Sequence, residues 1–269
     1  MEKEKKAIVV VSFGVSDENQ QRRCIDALVA DIMQEFPDYE VRLAFTSAMI
    51  RRRLEQEGRH MPSLEEVLAE LAEAGFTKVA IQPTHLTPGE EFDNKIRAIV
   101  EGDSFPTLQI GVGRPVFTWQ GEEGKPDDYA DGLDFLLECF ILVEDEELVL
   151  MGHGSPHRHN PVYERLQAIA DRENKHMHVG VIEDSDTPNL ETVKERLKKT
   201  GTDKIFLAPL MFVGGVHVME DMAGNEPESW KSILRAEGYE VNVLPHGLGS
   251  LPKFRRIYVE HLKDAIKEM

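Results

Sequence analysis

Cysteine is nearly absent: the 269 residues hold two, Cys24 and Cys139, far apart and in helix-like surroundings. That excludes a disulfide framework and a cysteine-based zinc site, and both thiols read as small buried apolar groups. Positive charge is also scarce. Lys plus Arg number 31 against 49 Asp plus Glu, a formal charge of −18. Bulk attraction to nucleic-acid phosphate is therefore excluded, while a local basic patch can still take an anion. No apolar run approaches the ~18 residues that a membrane span needs. The start, Met1 to Lys6, leads into only seven apolar or small residues, Ala7 to Phe13, too short and too strand-like for a signal sequence. A cytoplasmic protein with no nucleic-acid or membrane partner is expected. GxGxxG, Walker A, HExxH and zinc-ribbon spacings are missing, and His153-Gly154-Ser155 lacks the GxSxG elbow of a nucleophilic serine.

What is present is enough apolar material, 41% of residues, for one large core or two modest ones. Short β-branched runs predict eight strands: Ala7–Ser12, Glu40–Phe45, Lys78–Gln82, Thr107–Val112, Glu147–Met151, His176–Ile182, Lys204–Pro209 and Tyr239–Leu244. Helical spacing of apolar residues fills the intervals, over Asn19–Phe36, Ser63–Ala74, Asp93–Glu101, Tyr129–Val143, Val162–Asn174, Asn189–Thr200, Glu228–Glu237 and Lys253–Lys267. Such alternation implies parallel sheets covered by helices on both faces, an α/β fold. Ser63 followed by Glu66 has the spacing of a capping box.

The two halves resemble each other. GFTKVAIQPTHLTPGEEF (75–92) parallels GTDKIFLAPLMFVGGVHV (201–218), which sets Glu91 opposite His217. VVVSFG (9–14) parallels VLMGHG (149–154), setting Phe13 opposite His153, and VRLAFT (41–46) parallels VGVIED (179–184), setting Phe45 opposite Glu183. Internal duplication of one four-strand unit accounts for this. The expected lobes are 1–118 and 145–269, each a parallel four-stranded sheet flanked by helices, joined by a linker and connecting helix over 119–144. Ligands of open α/β sheets sit beyond the carboxyl ends of the strands, so a cleft between the lobes is the expected binding place.

His153, Glu183 and His217 all fall at such strand ends in one half. Two imidazoles and a carboxylate with open positions suit a divalent transition metal held transiently, and they suit proton removal equally well. Each taken singly also fits a structural residue capping a loop. Glycines beside the histidines (Gly152, Gly154, Gly214, Gly215) would let backbone approach a large ligand. His157 and His159 read as solvated loop residues, and His85, near Glu90 and Glu91, faces the expected cleft. His176 and His178 share one strand, with at most one face buried. Arg51 to Arg53 read as the start of a helix with a solvated face, and Arg114 as the better partner for substrate carboxylates.

The segments VVVSFGVS, AFTSAMIRRRL, IQPTHLTPGEEF, MGHGSPH and PLMFVGGVHVMEDMAG followed by ESWK, in this order, resemble the sirohydrochlorin cobaltochelatases, the anaerobic cobalt chelatases. The resemblance spans nearly the whole chain. It implies a fold related to the ferrochelatases, with two α/β lobes around a tetrapyrrole. The implied activity is ATP-independent insertion of Co2+ into sirohydrochlorin in oxygen-independent cobalamin synthesis. The metal is substrate, Fe2+ and Ni2+ are close variants, and no organic cofactor is implied. Carried onto this chain, His153, Glu183 and His217 hold the metal and accept protons, with Glu91 as a second carboxylate. Ser12, Phe13, Gly14, His85, Gly89, Gly214 and Gly215 are the implied contacts to the macrocycle. Its carboxylates need local donors against the net charge, and Arg51 to Arg53, Arg114 and Arg158 form the pool. Self-association into a homo-oligomer is expected from the family. The alternatives are a non-catalytic metal or tetrapyrrole binder and a two-lobed small-molecule receptor.

Overall fold

The computed structural model describes residues 4–122, 124–154, 159–183 and 185–269. Strands form on all eight expected segments: β1 (Lys6–Ser12), β2 (Glu40–Phe45), β3 (Lys78–Pro83), β4 (Gln109–Val112), β5 (Glu146–Gly152), β6 (Met177–Val181), β7 (Lys204–Pro209) and β8 (Glu240–Val243). They make two four-stranded parallel sheets, ordered β2-β1-β3-β4 and β6-β5-β7-β8. Ala7 to Val11 and Leu148 to Met151 are fully buried. A parallel strand covered on both faces has no solvent side, so its apolar residues run on instead of alternating. Glu146 and Glu147 open β5 and are nonetheless buried. Glu146 accepts from the Val143 N–H at 3.0 Å and from Asn242 at 3.1 Å, and Glu147 faces His176 at 2.9 Å and His178 at 3.1 Å.

The first unit comprises 1–128 and 251–269, the second 129–250. In the first, Val9, Val11, Val79 and Ile81 of the sheet meet Leu64, Leu68 and Leu71 of the helix Leu64–Glu73, which starts from the expected Ser63–Glu66 capping box. In the second, Val149, Met151, Ile205 and Leu207 meet Val193, Leu197, Trp230 and Leu234.

The unit boundaries differ from the expected 118/119 and 144/145. The C-terminal helix Pro252–Glu268, expected in the second lobe, packs on the first unit. Tyr258 donates to the Thr84 carbonyl (3.2 Å), Arg255 to Asp31 (2.6 Å), and Lys263 pairs with Glu35 (2.6 Å). An apolar stripe on a helix records that it covers a sheet, not which sheet, and sequence proximity pointed to the wrong one. The helix Asp128–Leu137 also stops short of Val143, where Cys139 and Phe140 close tight turns onto Leu136 and Leu137. A further helix, Ala48–Gln56, begins before Arg51, capped by Ser47, whose Oγ accepts the Ile50 N–H.

Candidate functional site

The second unit builds the site at the carboxyl ends of β5, β6 and β7. His153 follows β5, and Glu183 follows β6 after Ile182. The Ile182 N–H donates to the Gly152 carbonyl at 3.0 Å and the Glu183 N–H to the His153 carbonyl at 3.1 Å, so the two loops leave the sheet bonded together. Glu183 Oε1 lies 3.9 Å from His153 Nδ1. Beyond β7, the stretch expected as a glycine loop winds into a wide π-helical turn, His217–Met222. Val218 and Met222 of that turn are fully buried in the second core, an anchorage worth about 1.5–3 kcal/mol per side chain. Their burial leaves His217 and Asp221 half-exposed on the outer side.

The rings of His153 and His217 stand edge to face, with centroids 4.8 Å apart and planes at 90°. His217 Nδ1 is 2.6 Å from Asp221 Oδ2, and His153 Nδ1 is 3.2 Å from the Gly154 carbonyl. Both partners only accept, so each Nδ1 donates, and in the neutral imidazole the lone pair is the one on Nε2. Among the described residues, no three His, Cys, Asp or Glu side chains are already closed on a common point that would hold an ion. The two imidazoles and Glu183 are thus adjacent but open. A separate groove lined by Glu164, Gln167, Asp171, Pro188, Thr192 and Arg196 contains none of them.

Asp221 escaped the sequence reading. Its signal, four residues after a histidine, is meaningful only on a helical turn. Tyr163 escaped as well; its buried hydroxyl accepts the Gly154 N–H at 3.3 Å, and burial raises its pKa. Gly152 is explained by the same side chain, since a Cβ there would lie 2.3 Å from Tyr163 Cε1. The close approach is therefore internal and not to a ligand. Gly214 and Gly215 precede the π-helical turn, and a Cβ on Gly215 would meet nothing within 4 Å.

Strand pairing corrects one alignment. The Thr46 N–H donates to the Ser12 carbonyl and the Ser47 N–H to the Phe13 carbonyl, as Ile182 and Glu183 donate to Gly152 and His153. Glu183 therefore stands opposite Ser47, not Phe45. A shift of two residues preserves every inward and outward side chain of a strand, which is why the sequence match slipped by that amount.

The remaining candidates belong to the first unit. Ser12 is buried and its hydroxyl is engaged internally, accepting from the Gly14 N–H at 3.3 Å and from Thr84 at 3.0 Å. Phe13 is half-exposed, and Gly14 turns at φ +100° against Phe45. Gly89 precedes Glu90 and Glu91 at the start of a short helix. The His85 ring nitrogens are buried without a partner among the described residues, and desolvation lowers its pKa to about 4.

Arg114 is committed elsewhere. It grips Asp128 at 2.9 and 3.0 Å and Asp264 at 2.8 Å, and it stacks on Trp119 at 4.3 Å. Arg53 pairs with Glu57, whereas Arg51 has a buried Nε without a described partner and a loose 3.6 Å approach to Glu66. Ser155, His157 and Arg158 lie outside the described residues. His176 and His178 both face Glu147, and Arg196 donates to His178 Nδ1 at 3.3 Å, which leaves the His178 proton on Nε2 and removes it as a ligand there.

A family model described as cobalt chelatase (CbiK) matches residues 6–267. The sirohydrochlorin cobaltochelatase CbiKC of Nitratidesulfovibrio vulgaris (strain Hildenborough) is 32% identical over 268 residues, 98% of this chain and 92% of the relative. The sirohydrochlorin cobaltochelatase of Salmonella typhimurium (strain LT2) is 32% identical over 265 residues, 97% of each. Among solved structures, SirB from Bacillus subtilis with Fe3+ is similar in fold, at a TM-score of 0.65 and 18% identity, covering 97% of this chain and 95% of that one.

Proposed function

This chain belongs to the cobalt chelatase family, and on that premise we propose that it inserts Co2+ into sirohydrochlorin, without ATP, in oxygen-independent cobalamin synthesis. The observation that carries the reading is the pair His153 and His217, with ring centroids 4.8 Å apart and both Nδ1 atoms donating to acceptors, so that Nε2 is the nitrogen each neutral imidazole offers a metal.

Metallation exchanges two pyrrole N–H protons for one divalent cation, so the protein must offer ligands to an incoming metal and bases to two departing protons. His153 and His217 hold Co2+ through Nε2 while it sheds water. As the metal passes to the ring nitrogens, the vacated imidazoles take up the protons. Glu183, whose Oε1 lies 3.9 Å from His153 Nδ1, carries protons onward from that imidazole and joins the metal shell by a turn of its side chain. A substrate ion has to leave, and an open set of ligands suits that better than a closed cage. Val216 and Met219, exposed on either side of His217, offer apolar surface to the face of a macrocycle.

Absorbance tests this directly. Sirohydrochlorin, Co2+ and catalytic protein are mixed anaerobically and compared with the rate without protein. Loss of the free-base bands over many turnovers is expected, and repeating the assay with Fe2+ and Ni2+ ranks the metals, which His and Glu ligands barely distinguish. A shift that halts at one equivalent, with no gain in rate, would favour a binding protein.

A further inference from the structure

We propose that His159 is a positioning residue: it bolts the loop after β5 to the loop after β6 and so sets the spacing of His153 and Glu183. The proposal rests on the reading of those two residues as metal ligands. His159 leaves the β5 loop six residues beyond His153, and sequence alone made it a solvated residue. In the structure its Nδ1 is 2.6 Å from Asp186 Oδ1 and its Nε2 is 3.0 Å from Glu164 Oε2. Carboxylate oxygens accept, so both ring nitrogens donate and the imidazole carries a positive charge between two negative ones.

Asp186 is the buried end of this bolt, with its side chain 1% exposed. Its Oδ1 also accepts the Thr187 N–H at 2.8 Å, which fixes the carboxylate in the turn. From there the path is backbone. The Asp186 N–H donates to the Glu183 carbonyl at 3.0 Å, and the Glu183 N–H donates to the His153 carbonyl at 3.1 Å. Imidazolium, buried carboxylate, Glu183 and His153 are therefore joined without a break. Taking away the imidazolium removes a cation from a buried carboxylate, which then gains by turning toward water. The turn that carries Glu183 moves with it. Groups that orient ligands in this way typically alter metal affinity by about 10–100-fold when removed.

The test is Co2+ titration of the protein without tetrapyrrole, read by the cobalt ligand-field absorption band, for wild type, His159→Gln, Asp186→Asn and Glu164→Gln. His159→Gln and Asp186→Asn are expected to weaken Co2+ binding by about tenfold or more and to shift the band, with Glu164→Gln, at the exposed end of the bolt, much milder. In turnover, KM for Co2+ should rise while KM for tetrapyrrole stays within about twofold, a split that a general loss of packing does not produce. A His159→Gln protein with wild-type Co2+ affinity and spectrum overturns the proposal, even with a lowered melting temperature. The titration separates this from the proposed function: a wild type that binds Co2+ but never turns over sinks only the chelatase reading. A wild type that binds no Co2+ overturns both.

Discussion

The two units carry one sheet twice, in the same register. Val11 pairs with Pro83 where Met151 pairs with Pro209, and Lys6 with Lys78 where Glu146 pairs with Lys204. Equivalent loop bonds follow, from Ser47 to Phe13 and from Glu183 to His153. Past the third strand the frame still holds, since Asp93 bonds back to Gly89 and Met219 to Gly215. At three matched stations the first unit therefore has Phe13, Ser47 and Glu91, and the second has His153, Glu183 and His217. The backbone delivers three side chains to the strand ends in both. Only the second set has lone pairs for a transition metal on all three. The fold supplies the stations, and residue identity decides which unit can offer a metal three donors there.

The largest effect should come from destroying that asymmetry. On the proposed mechanism His153→Ala and His217→Ala each remove a ligand and a base, and metallation should fall by about 10²–10⁴-fold with an unchanged circular dichroism spectrum. Phe13→Ala, at the station matched to His153, should reduce turnover far less. Near-normal turnover in both histidine variants would remove the site from the second unit. Glu183→Gln should slow insertion more than it weakens tetrapyrrole binding, because the proposed role of its carboxylate is with metal and protons. Equal losses would make it a positioning residue.

Much of the comparison was legible in advance. All eight strands formed where β-branched runs predicted them, because strands buried on both faces announce themselves by composition. His153, Glu183 and His217 were recognisable as strand-end residues. What failed shares a cause: features set by contacts distant in sequence leave no local mark. The C-terminal helix has a stripe that fits either sheet. The match of Glu183 to Ser47 was displaced by two, the one displacement a strand pattern tolerates. Asp221 and His159 are ordinary polar residues until a π-helical turn brings one to His217 and a buried Asp186 meets the other.

Acid should separate the units next. The first holds two buried neutral histidines, His85 and His261, each with its pKa lowered to about 4; desolvation leads in both cases, and His261 also sits beside the Arg114 guanidinium. Above pH 6.5 neither the folded nor the unfolded chain protonates them. As pH falls from 6.5 toward 4, the unfolded chain takes up protons that the folded chain refuses. Stability is lost across that window and levels off below it, by roughly 3 kcal/mol per histidine at full extent. In the second unit the shifts oppose each other. His178 is lowered by burial and follows the same sign. His159 is raised by Asp186 and Glu164, so its contribution is full below pH 6.5 and fades as pH rises through its folded pKa. Hydrogen exchange at pH 7 and pH 5 should show the first unit losing more protection, and His85→Gln should flatten its pH dependence. Equal losses in both units would refute this.

The smallest effects belong to a matched pair of glycines, Gly14 after Phe13 and Gly154 after His153. Both have positive φ, +100° and +78°, so alanine at either is strained by about 1–2 kcal/mol. What the new methyl meets differs. At Gly14 it would lie 2.4 Å from Cδ2 of Phe45, a fully buried ring with no room to retreat, so Gly14→Ala should cost additional stability. At Gly154 it would lie 3.0 Å from Val181 Cβ and 3.1 Å from Glu183 Cβ, a contact that a shift of a few tenths of an ångström relieves. That shift displaces Glu183. Gly154→Ala should therefore show the smaller drop in melting temperature but the larger rise in KM for Co2+, and Gly14→Ala the reverse. If both variants lose stability and Co2+ affinity in the same proportion, the two stations do not differ in function, and the asymmetry between the units lies elsewhere.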